Sequence, residues 1–322
     1  MLCTKKMMSP RNLVILYLFA LQFPIRAADY AGYSGAFLRL GTTARSLAMG
    51  GGFTAELDHG FTAYHNPAGV AFLSSKQASF SYHFMTLDRR FITTSFATRL
   101  PPTAGLGVAW VSAGVDDIDG RTSSGEKTQS LSTSENAVYL SFAQKLSSWL
   151  AVGINIKILY NQLPMNDSQL LGKGIGFDVG MMSQPIKGMT LAFMIKDLNS
   201  NYQWNTGKVF AERGRVYKES FPTLYRLGTN YQYRSLYLVG DAGVIASGTT
   251  ILGYTLRGGL EYAFRENYYL RTGIGNGRLA VGLGMNYTFI KKQDAFLDYA
   301  LVIEPATMTT GLIHVFTYAF HF

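Results

Sequence analysis

The chain has 322 residues, of which 15% are charged and 48% are hydrophobic, and its formal net charge is +9. A soluble globular domain usually carries about a quarter charged residues. This composition therefore argues against an ordinary soluble domain, while 20 Tyr, 21 Phe and 34 Gly favour a β-rich protein with one apolar surface. The single cysteine, Cys3, lies near the amino terminus, which excludes disulfides, zinc–thiolate sites and cysteine nucleophiles from the rest of the chain.

The first predicted element is a secretory signal peptide over residues 1–28. A basic region of two lysines and one arginine precedes the apolar stretch LVILYLFAL at 13–21. This stretch is shorter than the roughly 20 residues of a transmembrane helix, so cleavage near Ala28 is favoured over a membrane anchor. Cleavage would remove four basic residues, lowering Lys+Arg from 29 to 25 against 20 acidic residues, a charge of +5. The basic balance thus gives no support to nucleic-acid binding.

Residues 29–75 form the second predicted element, which lacks the alternation of a strand. This segment contains a run of three glycines and an Asn-Pro-Ala-Gly turn, that is Gly50, Gly51, Gly52, Asn66, Pro67, Ala68 and Gly69. Glycine allows close backbone approach, proline fixes a turn and asparagine can bond its own backbone there. We predict that the segment is a compact plug, because a wide barrel has a lumen that its own side chains do not fill.

From about residue 76 to residue 322, apolar residues alternate with small or polar ones, the pattern of β-strands. In WLAVGINIKILYNQ, for example, the apolar face consists of Leu150, Val152, Ile154, Ile156, Ile158 and Tyr160. The opposite face carries mostly Gly, Ala, Ser and Asn, whereas the solvent face of a soluble sheet is rich in charges. An apolar face toward lipid and a small or polar face toward a lumen predict a transmembrane β-barrel.

We predict an all-β, antiparallel transmembrane barrel of the outer-membrane type over residues 76–322. Its fourteen strands lie near 77–87, 90–100, 104–112, 136–145, 149–160, 173–183, 189–196, 223–233, 235–244, 254–264, 268–275, 278–289, 294–303 and 311–322. Long connections are expected at 113–135, 161–172, 197–222, 245–253 and 304–310, mostly alternating with short turns. Short turns at one end and long loops at the other are typical of such barrels. Twelve or sixteen strands are the alternatives.

The last predicted strand carries an aromatic face, in which the alternate residues are Phe316, Tyr318, Phe320 and Phe322. Such residues are typical of the aromatic girdle on lipid-facing strands. A terminal Phe also resembles the signal by which barrel-assembly machinery recognises outer-membrane clients. We therefore expect outer-membrane lipid and this machinery as partners, because a soluble edge strand with this face would aggregate.

The sequence contains none of the common catalytic motifs. G-x-S-x-G, H-E-x-x-H and the P-loop are absent, and GKGIG and GIGNG lie within strand patterns rather than between a strand and a helix. The five histidines show no metal-ligand spacing, and for His83 a polar lining of the lumen is favoured over a proton-linked role. We predict no enzymatic activity, cofactor or metal.

Two further groups of side chains, one charged and one aromatic, are candidates for contact with a substrate. Charged residues on the small-residue face of the strands are Lys157, Asp178, Arg226, Arg257, Glu261 and Arg271. We expect them to be paired across strands, with a polar path for substrate as the alternative. Aromatic residues in the connection 197–222 are Tyr202, Trp204, Phe210, Tyr217 and Phe221. They could capture an apolar ligand or pack over the barrel mouth, and the sequence leaves both open.

The stretch GAFLRLGTTARSLAMGGGFTAELDHGFTAYHNPAGVAFL, at 35–73, resembles the N-terminal signature of the PorV/PorQ family of outer-membrane proteins. That family is related to the FadL-type transporters of hydrophobic compounds. GGLEYAFRENYYLRTG at 258–273 and IHVFTYAFHF at 313–322 are similar to its late strands. Two departures are His65, where an aromatic residue such as Trp is more usual, and Asp-Leu-Asn at 197–199, where Asn-Leu-Gly is more usual.

The resemblance implies that Asn66, Pro67 and Ala68 form the turn that closes an N-terminal hatch. It also implies a bacterial outer-membrane protein that passes small hydrophobic molecules, with sideways release through the wall after the hatch shifts. The alternative is a PorV-like component of type IX secretion, which would hold and hand over secreted protein cargo. Both alternatives remain open on the sequence alone.

Overall fold

The computed structural model describes residues 32–57, 61–165, 168–207, 213–290, 293–304 and 311–322. The predicted signal peptide lies outside the described residues. Four short helices come first: a 3-10 helix (Ala36–Arg39), α1 (Ala44–Ala48), α2 (Thr62–His65) and a second 3-10 helix (Pro67–Phe72). Thr43 caps α1, since its hydroxyl accepts a hydrogen bond from the amide of Ser46. No helix in these ranges is long and apolar enough to cross a membrane.

Strands make up most of the remaining described chain. They are β1 (Gln77–Phe84), β2 (Arg89–Leu100), β3 (Ala104–Arg121), β4 (Lys127–Ser147), β5 (Leu150–Met165), β6 (Ser168–Ile186), β7 (Met189–Leu198), β8 (Asn201–Asn205), β9 (Val216–Ser220), β10 (Thr223–Tyr233), β11 (Leu236–Ser247), β12 (Thr250–Phe264), β13 (Tyr268–Gly275), β14 (Arg278–Ile290), β15 (Gln293–Ile303) and β16 (Leu312–His321).

All of these strands except β8 and β9 form a closed antiparallel barrel. Each wall strand pairs with its neighbours along the chain, β7 pairs with β10, and β16 pairs with β1. The prediction of a fourteen-stranded barrel is confirmed. The main chain groups of Lys76 and Phe322 are hydrogen bonded to each other, so the two chain ends of the barrel meet at one rim. We call this rim the terminus end and the opposite rim the loop end.

Three of the predicted long connections are wrong. Within 245–253, β11 continues to Ser247 and β12 begins at Thr250, so only residues 248–249 connect them. Within 113–135, β3 continues to Arg121 and β4 begins at Lys127, and within 161–172, β5 and β6 continue to Met165 and Ser168. The sequence misled because these strands extend past the apolar band at the loop end. Both of their faces can then be polar, and the alternation that marks a lipid-facing strand is lost.

The connection 197–222 contains a structure that the sequence did not predict. β8 and β9 form a hairpin there, which joins the wall where Gly172 of β6 pairs with Trp204. Each strand has only five residues, which is too short for period-2 alternation to stand out. The hairpin adds a partial cover at the loop end of the barrel.

The two faces of the wall follow the predicted alternation. On β5, Ile154, Ile156 and Ile158 point outward and are 38% to 46% exposed, whereas Asn155 and Lys157 point inward and are fully buried. The burial of polar residues on the inner face means that something other than water contacts them. Lys157 contacts acidic residues of the neighbouring strands, and Asn155 contacts the chain that precedes β1.

Candidate functional site: the N-terminal segment against the barrel wall

We call residues 32–57 and 61–76 the N-terminal segment. Its apolar side chains are buried together with inward-facing residues of the wall, for example Phe61 with Tyr139 of β4, whose rings meet edge-on at 5.4 Å. At the other side of the lumen, Ala44 and Ala48 of α1 pack against Ala300 of β15. The segment therefore contacts the inner face of the barrel on opposite sides.

The Asn-Pro-Ala turn is held by the side chain of Asn66, which is fully buried. Its Oδ1 accepts a hydrogen bond from the amide of Ala68 at 3.0 Å. Its Nδ2 donates to three carbonyl oxygens, those of Thr54 at 3.1 Å, Met181 at 3.2 Å and Phe193 at 3.3 Å. One side chain thus links the turn to another part of the segment and to strands β6 and β7.

Wall glycines make room for this turn. A Cβ on Gly153 of β5 would overlap the backbone of Ala68, and one on Gly180 of β6 would overlap the side chain of Asn66. Gly69 of the turn itself lies against the side chains of Thr62 and Leu57. The small-residue face that the sequence assigned to a wet lumen is, at these positions, a contact surface for the N-terminal segment.

The predicted hatch glycines lie on the other side of the lumen. Gly50 and Gly51 have φ of 70° and 74°, a conformation that glycine adopts without steric cost. Gly50 touches the backbone of Gly258 and Ile274, on β12 and β13. Gly52 is less crowded, since a Cβ added there would lie 3.4 Å from the carbonyl oxygen of Arg257. The glycine run is therefore a close backbone contact with two adjacent strands.

Lys157 and Asp178, two of the predicted lumen residues, belong to one buried network. The Lys157 Nζ donates to the Asp178 carboxylate at 2.5 Å and also to Asp197. Asn155 donates to both the second Asp178 oxygen, at 3.0 Å, and the carbonyl of Ala63, at 2.9 Å. This network ties the N-terminal segment to three neighbouring wall strands.

Glu261 and Arg271 belong to a second buried network. Arg271 donates to Glu261 at 2.6 Å and to Asp298 at 2.5 Å. Arg45 of α1 donates to Glu261 at 3.0 Å and to Glu56 at 2.8 Å. Arg45 thereby joins the N-terminal segment to the wall by a buried ion pair.

The two remaining predicted charges differ from these. Arg257 donates to Asn276 and to the carbonyl of Gly51, each at 3.3 Å. Arg226 is 5% exposed, and its Nε has no hydrogen-bond partner among the described residues. The structure thus brings four of the six predicted charges, Lys157, Asp178, Glu261 and Arg271, into ion-paired networks.

The predicted aromatic group of the connection 197–222 is divided. Tyr202, Trp204 and Phe221 are buried against one another, and Phe221 also lies against Gly35 of the N-terminal segment. Tyr217 is 65% exposed. Phe210 lies outside the described residues. The three buried rings pack inside the mouth at the loop end.

The aromatic residues of β16, and Phe322 directly after it, point outward. Phe316 and Phe322 are 44% and 47% exposed, and the hydroxyl groups of Tyr318 and Tyr287 of β14 are hydrogen bonded at 2.6 Å. The inward residues between them include Thr317, whose hydroxyl accepts from the amide of Ala44. One face of β16 thus points out of the barrel and the other meets α1.

Several contacts were missed by sequence reasoning. The Asp241 carboxylate accepts hydrogen bonds from the amide and hydroxyl of Thr54, and its inward position on β11 follows from strand parity. Lys196 donates to the carbonyl of Leu38 at 3.1 Å, and its Nζ lies 3.4 Å from the centre of the Tyr64 ring. Burial raises the pKa of the Tyr64 hydroxyl, so it stays protonated and donates to the same carbonyl at 2.6 Å.

Two histidines, His65 and His83, are held by ring packing and by a main-chain carbonyl. His65 packs between the rings of Phe53 and Tyr64, at 5.2 and 5.1 Å, so it fills the place of an aromatic residue. His83 is buried, with Nε2 3.4 Å from the carbonyl oxygen of Thr42. No cluster of three or more metal-ligating side chains occurs within the described ranges.

The likeness of this chain to known proteins is one of fold. No protein-family profile matches the chain, and no curated protein matches it. Solved structures do match. The toluene transporter TodX of P. putida has a TM-score of 0.63 at 14% identity and covers 88% of this chain and 99% of its own.

Two other structures extend this likeness. The toluene transporter TbuX of Ralstonia pickettii gives a TM-score of 0.61 at 14% identity, over 88% of this chain and 98% of that one. A FadL homologue of Pseudomonas aeruginosa gives 0.56 at 12% identity, over 87% and 96%. The chain therefore has the fold of FadL-type outer-membrane barrels along nearly its whole described length.

Proposed function

We propose that the protein passes small hydrophobic molecules across the bacterial outer membrane and that the N-terminal segment is its hatch. The observation that carries this proposal is the tether of Asn66, which bonds the segment to the main chain of two adjacent wall strands. The fold adds support, since the similar structures include two toluene transporters and a FadL homologue. A barrel whose lumen is occupied by a tethered segment needs that segment to shift before anything can pass.

The tether has a suitable strength for a gate. Hydrogen bonds from one neutral side chain to buried carbonyls contribute on the order of 1–3 kcal/mol when their loss leaves the partners unpaired. That is enough to change the ratio of two hatch positions by roughly ten- to a hundredfold. It is small beside the main-chain pairing of fourteen strands, so the hatch can shift while the wall stays intact.

The finer assignment to the PorV/PorQ family rests on the motif at 35–73 and is also our proposal. Its alternative role, as a cargo-holding component of type IX secretion, predicts no flux of small molecules. The toluene transporters among the similar structures favour the channel role. We further propose that residues 1–28 direct export and are cleaved, that lipid surrounds the wall, and that barrel-assembly machinery recognises β16.

The test is deletion of residues 29–75 from the mature chain. We expect the deleted barrel to assemble, to migrate differently on gels before and after heating, and to conduct ions in planar bilayers far more than the full protein. Cells that express the full protein should take up toluene faster than cells without it. An assembled deletion variant with unchanged conductance would contradict the hatch, and unchanged toluene uptake by the full protein would contradict the channel role.

A further inference from the structure

The turns at the terminus end of the barrel are rich in cations. Five of these turns lie within the described residues, and each carries a lysine or arginine in the turn or within two residues of the strand end. These cations are Arg99, Lys145, Lys187, Arg234 and Arg265. Only two acidic side chains of the described residues reach the surface at this end, Glu266 and Asp294. The surface of the terminus end is therefore positively charged.

These five cations differ from the cations of the loop end in their pairing. Within the described ranges, none of the five forms an ion pair. At the loop end, by contrast, Arg90 pairs with Asp116 at 2.8 Å, and Lys127 pairs with Asp119 at 2.9 Å. A surface with one sign of charge attracts partners of the opposite sign, so the terminus end is suited to an anionic partner.

Three of the five, Lys187, Arg234 and Arg265, follow large apolar side chains at the outer surface, and we call them the rim cations. The guanidinium of Arg234 lies 5.4 Å from the centre of the preceding tyrosine ring, and that of Arg265 lies 5.5 Å from the preceding phenylalanine ring. Lys187 follows an isoleucine that is 59% exposed. The apolar neighbours are Ile186, Tyr233 and Phe264. Lys145, in contrast, turns toward the lumen, where its Nζ lies 4.8 Å from the centre of the Phe72 ring.

The position of the rim cations indicates the kind of anion that they meet. Ile186 and Phe264 belong to the apolar band of the wall, and a basic side chain at the border of that band reaches the level of the lipid phosphates. The three cations lie in successive turns of the terminus end and follow this border over β6, β7 and β10 to β13. Neighbouring strands are about 4.8 Å apart, so the row extends over roughly 25 Å and meets several lipids side by side. An acidic protein in the aqueous space would reach the cations but not their apolar neighbours, which favours lipid as the partner.

We propose that the rim cations bind the headgroups of anionic phospholipids in the membrane leaflet at the terminus end. The two arginines present paired N–H donors that match two oxygens of a phosphate, and Lys187 contributes a point charge. A zwitterionic lipid carries its own cation beside the phosphate, so the rim cations attract it less. The barrel would therefore select anionic lipid on one side of the membrane only. The proposal requires a barrel in a membrane and does not depend on the passage of small molecules.

The experiment uses Trp149 as a reporter of the lipid beside Lys187. Trp149 lies in the adjoining β4–β5 turn and is 51% exposed, and its main-chain oxygen accepts a hydrogen bond from the amide of Gln184. Of the other two tryptophans, Trp204 is buried in the mouth, and Trp110 is replaced by Phe. The purified Trp110→Phe protein is reconstituted in phosphatidylcholine vesicles that contain brominated phosphatidylglycerol or brominated phosphatidylcholine. Bromine quenches the fluorescence of a tryptophan that it contacts, so quenching measures which lipid occupies this position.

We expect phosphatidylglycerol to bind beside Trp149 about fivefold more strongly than phosphatidylcholine, and Lys187→Gln should lower this ratio to about one. The matched control is Lys173→Gln, which removes an exposed lysine in the part of β6 near the loop end and should leave the ratio unchanged. A second reporter, Tyr233→Trp in a chain that also carries Trp149→Phe, lies beside Arg234. It should show the same preference and lose it in Arg234→Gln.

Equal binding of the two lipids in the Trp110→Phe protein would overturn the proposal and would favour an acidic protein as the partner of this surface. A preference that survives Lys187→Gln would overturn it as well, and so would a preference that Lys173→Gln abolishes. Should Lys187→Gln not assemble, the reporter beside Arg234 decides by the same criteria. Toluene uptake enters none of these measurements, so the channel function and the lipid site can fail separately.

Discussion

The N-terminal segment is attached to the wall in different ways on its two sides. Toward β5, β6 and β7, the turn at 66–69 and Ala63 are held by neutral amide side chains, since Asn66 and Asn155 donate to main-chain carbonyls, while Lys196 of β7 holds Leu38 farther along the segment. Toward β11 and β12, charged groups carry the attachment, in the pairs of Arg45 with Glu261 and of Thr54 with Asp241. Breaking one of the neutral hydrogen bonds leaves uncharged polar groups unpaired. Breaking one of the charged attachments leaves a buried charge without its partner, which costs more.

For the proposed hatch, this difference predicts which part of the segment would move. Releasing the turn at 66–69 from the wall costs less free energy than releasing residues 44–56, so the turn should move while residues 44–56 stay in place. We therefore expect any opening of the hatch to be a rotation of the turn away from β6 and β7 about the charged attachment. The following experiments test this contrast.

The largest effect is expected from Arg45→Ala. It leaves Glu56 buried without its ion pair to Arg45, while Glu261 keeps its pair with Arg271, and this loss should destabilise the fixed side by about 3–5 kcal/mol. Hydrogen exchange of residues 44–56 in the purified barrel measures this directly. Arg121→Ala, which removes an exposed arginine paired with Asp119 at 3.3 Å, is the control and should change nothing. If residues 44–56 are equally protected from hydrogen exchange in both variants, the charged attachment does not hold this part of the segment in place.

A somewhat smaller effect is expected from Gly273→Ala. The new methyl group would meet the main chain of Met49 and Gly50, and such overpacking should cost about 2–3 kcal/mol. Gly240→Ala is the control, since its methyl group would lie 3.9 Å from the nearest atom. Susceptibility of the N-terminal segment to added protease should rise in the first variant only; the same rise in both would contradict the close contact.

Asn66→Ala tests the neutral side. We expect a loss of about 1–2 kcal/mol, which shifts the hatch equilibrium about 5- to 30-fold toward the open position. Single-channel recordings should show longer open periods with unchanged barrel assembly. Asn205→Ala, in the β8–β9 hairpin, removes an amide that bonds only locally and serves as the control. Open periods like those of the unaltered protein would refute the role of the tether.

Single cysteine substitutions should leave stability unchanged, and they report which rim of the barrel faces the outside of the cell. Ser123→Cys and Asn205→Cys lie at the loop end, and Ser147→Cys lies at the terminus end. An impermeant thiol reagent on intact cells should label the first two, because long connections of such barrels face the exterior. Labelling of the third instead would mean that the barrel is inverted.

The wall was predictable from sequence because its two environments impose a period of two on every strand that crosses the lipid. The prediction failed where this constraint ends, in the polar extensions of β3 to β6. It also failed at Asp197, which was assigned to the connection 197–222 but lies in β7 and points inward directly after the inward Lys196, because its φ is 63°. A residue in the left-handed region breaks the alternation, and the sequence gives no sign of it beyond an Asp-Leu-Asn turn.

The N-terminal segment was harder to derive. Its turn and its glycines stood out as residue types with special backbone roles, but their partners on the wall did not. The ion pairs of Arg45 with Glu56 and Glu261 join residues 11 and 216 positions apart. No local pattern encodes such distances, since the segment has neither strand nor helix periodicity to fix the direction of its side chains.

The pairing of β1 with β16 has a consequence for the order of assembly. These two strands are the first and the last of the wall along the chain, so the cylinder has an open side until the final strand is in place. The N-terminal segment comes before β1 and can be laid on the growing sheet through that open side. Its contacts on opposite sides of the lumen can therefore form without threading, and the last strand closes the wall around a segment already inside.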